Sequence, residues 1–136
     1  MRRRIKRRFA GWFLGVWVFL LLLLTLIFRE SSSPYALWIP FTSLKGMYRD
    51  SGLLTVIYQV GGNIAWFIPI GFLLPYIARI KPWQSVLCGM ALSIFIEGCQ
   101  YLFDLGCTDI DDLIFNTLGT LIGALLFYFY QTKMAE

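Results

Sequence analysis

Between Arg8 and Arg29 the chain runs for twenty residues without a charge, "FAGWFLGVWVFLLLLLTLIF". Two more such stretches follow, twenty-eight residues between Asp50 and Arg79 and twenty between Asp112 and Lys133. At ~1.5 Å of rise per residue, each can cross a hydrocarbon layer of about 30 Å as one helix. Pro82 to Phe103 is also twenty-two residues long and carries Glu97 as its single charge. One carboxyl group in a span costs a few kcal/mol, which a bundle interior can absorb. With 58% apolar and only 15% charged residues, the composition fits a membrane protein better than a soluble domain, where about a quarter are charged.

The expected fold is therefore an all-α integral membrane protein, one domain over residues 1–136. Its four transmembrane helices are predicted at about 9–28, 55–78, 83–103 and 112–131. Nine Lys and Arg residues flank the spans on one side, six of them in "MRRRIKRR", two in "RIKPWQ" and Lys133; three, Arg29, Lys45 and Arg49, lie on the other. The positive-inside rule then predicts both termini cytoplasmic. The net charge of +4 sits beside the spans, so it points to topology and anionic lipid rather than nucleic acid. The first apolar run exceeds the about 7 to 15 residues of a signal-peptide core and lacks a small-residue cleavage site, which predicts an uncleaved anchor. Cys88, Cys99 and Cys107 have no metal-binding spacing and no even count; Cys88 and Cys99 read as small packing residues and Cys107 as outside the spans.

The stretch Arg29 to Ser51 is the one sizeable outer loop. Tyr35, Leu37, Trp38, Ile39 and Phe41 make it too apolar for a solvated linker, so it is expected to be interfacial or re-entrant. The second span holds Gly61, Gly62, Pro69, Gly71 and Pro75 and is expected to bend where neighbouring helices re-satisfy its backbone. In the last span Asp112, Asn116, Gly119 and Gly123 recur at spacings of four and three and share a face, with the glycines suited to close helix packing.

Helix rise alone places the polar residues. Asn63 is sixteen residues from Arg79, Glu97 sixteen from Lys81 and Asn116 seventeen from Lys133. All three therefore lie roughly 24 to 26 Å above the inner boundary. Glu97, Gln100, Tyr101 and Asp104 follow at i, i+3, i+4 and i+7 as a stripe rising from that layer, and Asp109, Asp112 and Asn116 rise likewise. The candidate ligand pocket opens outward and comprises Asn63, Glu97, Gln100, Tyr101, Asp104, Asp109, Asp112 and Asn116. An ionisable group at such depth needs a partner or a proton. Arg49 or Lys45 folded in from the loop, a divalent cation held by the aspartates, or a cationic ligand would each serve Glu97. The same residues admit an architectural reading as an interhelical hydrogen-bond network, with Asp109, Asp111 and Asp112 at a helix N-terminus.

"GGNIAWFIPIGFLLP", "IEGCQ" and "TDIDDLIFNTLGTLIG", with "WIPF" in the outer loop, together resemble the VanZ-like family of small bacterial membrane proteins. The resemblance runs from about Leu37 to Gly123. It implies that Asn63, Pro69, Gly71, Glu97, Gln100, Asp109, Asp112, Asn116 and Gly119 are the family's characteristic positions. It also implies a link to resistance against the glycopeptide teicoplanin. Leu37 and the turn "GCT" depart from the Asn and Arg that many members carry there. The expected function is a non-enzymatic envelope role, binding a lipid-linked or lipoglycopeptide ligand in the outer leaflet with membrane lipids as partners. The alternative is a membrane enzyme working on a lipid or cell-wall precursor through carboxylates, with or without a divalent cation. No catalytic residue, resident metal or cofactor is assigned.

Overall fold

The computed structural model describes residues 2–27, 36–105 and 107–134, with side chains from Arg4 onward. In chain order they form α1 (Arg2–Leu26), β1 (Ala36–Leu37), α2 (Thr42–Ser51), α3 (Leu53–Ala78), α4 (Pro82–Leu102), β2 (Thr108–Asp109) and α5 (Ile110–Lys133). Of these, α1, α3, α4 and α5 are long and apolar enough to cross a membrane. The expected end of the first span at residue 28 and the first part of the outer loop, residues 29–35, lie outside the described residues.

Local chemistry moves the helix limits by a few residues. Asp109 has extended backbone and its carboxylate accepts the Asp111 N–H at 2.9 Å, so it caps α5, which starts two residues before the expected 112. Pro82 opens α4, where its missing N–H is no loss, and the Gln84 side chain accepts the Lys81 N–H at 2.8 Å. Arg79 closes α3 in the left-handed region at φ 58°. The turn from Arg79 to Lys81 leaves α3 and α4 antiparallel neighbours.

Two kinds of contact set the remaining directions. Along α1 and α3, the Trp17 indole N–H donates to the Trp66 carbonyl at 2.9 Å, and the Arg7 guanidinium lies 5.6 Å from the centre of the Tyr76 ring. Moving toward the N-terminus of α1 thus means moving toward the C-terminus of α3. Helices α3 and α5 run parallel, with Gly119 against Ile64 and Gly123 against Ile68.

The interior is unlike that of a soluble bundle. A small apolar cluster of Leu21, Phe67, Ile70 and Ile96 joins α1, α3 and α4, while Ser85, Ser93 and Thr120 are wholly buried. Many large apolar side chains, among them Trp12, Phe19 and Leu126, point outward. Small and hydroxyl residues between helices with apolar groups outside are what a lipid solvent favours. Cys88 departs from its expected packing role because it is exposed; Ser85, Gly89 and Ser93 fill the inward positions of α4 instead.

The outer loop is more structured than a linker. Helix α2 contributes no buried residue, and Gly52, at φ 83°, lets the chain turn from α2 into α3. Residues β1 and β2 pair in parallel, Ala36 with Thr108 and Leu37 with Asp109, a short addition to the all-helical expectation. Just beyond β1, the Phe41 N–H donates to Asp111 Oδ1 at 2.7 Å, with Phe41 held at φ 64°. The loop is thereby fastened to the start of α5. Because hydrogen bonds to charged groups contribute about 1.5–3 kcal/mol, Asp111→Ala should raise hydrogen exchange at the Phe41 amide by roughly 10-fold or more. Unchanged protection at Phe41 would show that Asp111 does not hold the loop.

Candidate functional site

A cavity of about 580 Å³ lies among α1, α3, α4 and α5 at the end of the bundle that carries the aspartates. Its wall includes Thr25, Gln59, Asn63, Glu97, Gln100, Asp112 and Asn116, over a floor with Leu21, Phe67 and Ile96. The three residues placed at one depth by helix rise, Asn63, Glu97 and Asn116, thus line the same cavity.

Each helix contributes through hydrogen bonds that cross to a neighbour. On α3, Gln59 and Asn63 are one turn apart, and both donate their amide N–H to Asp112 Oδ1 on α5, Gln59 at 3.2 Å. On α4, Ser93 and Glu97 are again one turn apart; Ser93 Oγ accepts from Asn116 Nδ2 at 2.9 Å. Glu97 Oε2 accepts the Asp109 N–H at 2.9 Å, and the Glu97 carbonyl accepts from the Thr108 hydroxyl at 3.3 Å. The buried carboxyl group therefore positions the strand that leads into α5. Gln100 reaches in the opposite direction and donates through Nε2 to the Thr25 carbonyl of α1 at 3.1 Å.

The polar stripe of α4 does not stay on one face. At about 100° per residue, Gln100 lies on one side of Glu97 and Tyr101 on the other. Gln100 is 1% exposed and Tyr101 is 56% exposed. Tyr101 belongs to a second cavity of about 430 Å³, lined also by Trp38, Ile94, Thr108, Asp109 and Leu113. Glu97 borders both cavities. Asp104 is exposed in the turn after α4, in the left-handed region, and borders neither of these two cavities.

Gly71 serves packing. A Cβ on Gly71 would meet the Thr120 carbonyl, just as Gly119 and Gly123 meet the α3 backbone. Pro75 is buried, while Pro69 is half-buried within the continuous α3. Lys45 and Arg49 are exposed on α2 and line neither of the two cavities. Among the described residues, no three Asp, Glu or Cys side chains are grouped to hold a metal ion.

Gln59, Ser93 and Thr25 belong to this site but were not among the expected residues. Gln59 and Ser93 were detectable in principle, each lying four residues before an expected polar residue on its own helix. Thr25 contributes a backbone carbonyl, which leaves no mark in sequence.

No curated protein and no solved structure compared with this chain matches it. A family model described as VanZ/LLP1 matches residues 14–131, from the middle of α1 almost to the end of α5. With that match and four helices of membrane-crossing length and apolarity, the chain is a multi-pass membrane protein that belongs to the VanZ/LLP1 family.

Proposed function

We propose that this protein is an envelope factor of the bacterial cell membrane that contributes to teicoplanin resistance by binding a lipid-linked or lipoglycopeptide ligand without turning it over. Both termini then lie in the cytoplasm and the aspartate end faces outward, as the distribution of Lys and Arg predicts. The observation that carries this reading is the pair of cavities meeting at Glu97, one with many polar groups and one mainly apolar. An amphiphile has the matching division, with a polar head for the first and a chain for the second.

Drug susceptibility tests it in a sensitive Gram-positive host, with Glu97→Gln compared with wild type at matched membrane levels. Gln retains an oxygen that can accept the Asp109 N–H, so the substitution removes the ionisable group while preserving that scaffold bond. Wild type should raise teicoplanin tolerance and Glu97→Gln should lose most of that protection. Equal protection by both would reduce Glu97 to a scaffold role, and no protection by either would remove the resistance reading.

One observation favours an enzyme instead. Glu97 and Asp112 present two carboxyl groups to one cavity, the minimum for acid and base work on a lipid or cell-wall precursor. Turnover of such a precursor by purified protein, lost in both Glu97→Gln and Asp112→Asn, would establish that reading over binding.

A further inference from the structure

Hydrogen bonds around the larger cavity tie its side chains to one another and to the backbone. Gln59 and Asn63 both direct amide N–H groups to Asp112, Asn116 directs one to Ser93, and Gln100 directs one to Thr25. The described lining contains no Lys or Arg. Gln100 Oε1 is buried with no hydrogen-bond partner, in a side chain that is itself 1% exposed. Its orientation is chemically fixed: the Thr25 carbonyl can only accept, so the NH₂ of Gln100 must face it and the oxygen must face away. Native interiors rarely leave such an acceptor unpaired, because desolvation without a replacement bond is costly.

We infer that the larger cavity receives a lipid headgroup rich in hydrogen-bond donors, a primary ammonium or sugar hydroxyls, and that Gln100 Oε1 is an acceptor that selects it. This inference rests on the proposed binding role and deepens it by naming the ligand's chemistry. The choice of donor follows from Gln100 alone: an acceptor oxygen discriminates against a head of similar size that offers no N–H or O–H. The apolar cavity beyond Glu97, bordered by Trp38, Ile94 and Leu113, provides for a chain of the same molecule.

Native mass spectrometry of the full chain, purified from detergent and offered defined lipids, tests the inference. The probes are phosphatidylethanolamine, a glycosyl diacylglycerol and phosphatidylcholine, whose quaternary ammonium has no N–H. Wild type should retain one or both donor lipids over phosphatidylcholine by roughly 3- to 10-fold, the effect of one net hydrogen bond. Retention of phosphatidylethanolamine alone would identify an ammonium site, and retention of the glycolipid alone a sugar site. Gln100→Met should bring the ratio close to one while still binding lipid. A purely structural Gln100 would lower all three lipids together and leave their ratio unchanged, which would overturn the inference. Equal retention of the three lipids by wild type would overturn it as well, leaving the binding role in place. No lipid retained by wild type would overturn the binding role and this inference together.

Discussion

Replacing Gly123 with leucine should push α3 away from α5 and destabilise the bundle by several kcal/mol, the largest effect expected of a single substitution in this protein. Any side chain at this position starts with a Cβ 2.1 Å from the Ile68 carbonyl oxygen, with the Phe72 nitrogen at 2.9 Å. Both are backbone atoms of a helix and cannot move aside as a flexible side chain would. Overpacking a core costs about 1–3 kcal/mol where side chains can adjust, and more where only whole-helix displacement can relieve it. The same seam contains Gly119 against the Ile64 carbonyl and Gly71 against the Thr120 carbonyl. Separation at Gly123 would therefore weaken van der Waals contact along the whole seam, which association in lipid depends on. Thermal unfolding in detergent, followed by size-exclusion chromatography, should show a midpoint lowered by roughly 10 °C or more. Gly61→Ala is the control. Nothing lies within 4 Å of a Cβ built there, and alanine favours helix over glycine by up to about 1 kcal/mol. Equal melting of Gly123→Leu and Gly61→Ala would refute the close seam.

A common level along the bundle was legible in the sequence, and rotation was not. Helix rise is so regular that counting from basic residues at span ends put Asn63, Glu97 and Asn116 at one level, and they line one cavity. Counting also grouped Gln100 with Tyr101 on a single stripe, and they face different cavities. A polar side chain at the edge of a stripe can turn either way, and the decision belongs to the neighbouring helices. The glycines were legible as packing residues because small residues four apart have few other uses in an apolar helix. Helix α2 was not legible, since "TSLKGMYRDS" has no buried face and its limits depend on Phe41 and Gly52 in left-handed conformations. The β1–β2 pairing was equally hidden, because two residues on each side are too few to show alternation. The departure at Leu37 looks different in the structure, where its backbone pairs with Asp109 whatever side chain it carries.

Asp112→Ala should give the second large effect, because Asp112 is the single acceptor toward which two α3 side chains converge. It is 6% exposed, so it does not behave as a solvated turn residue. Its Oδ1 receives N–H groups from both Gln59 and Asn63, which lie on adjacent turns of α3. Alanine would leave two amide groups pointing at an apolar methyl, and a buried donor without an acceptor costs about 1–3 kcal/mol. The expected loss is about 2–5 kcal/mol, smaller to the extent that water enters the cavity and takes the place of the carboxylate. Asp112→Asn keeps one acceptor oxygen of nearly the same shape without the charge, and charge-assisted bonds are roughly twice as strong as neutral ones. Its destabilisation should therefore fall between wild type and alanine. A double-mutant cycle with Asn63→Leu separates the clasp from other roles of Asp112. Asp112→Ala in the Asn63→Leu background should cost less than it does in wild type, with a coupling of at least about 1 kcal/mol. Strict additivity would mean that the contact between Asn63 and Asp112 contributes no stability, leaving Gln59 as the α3 side chain that holds the carboxyl group.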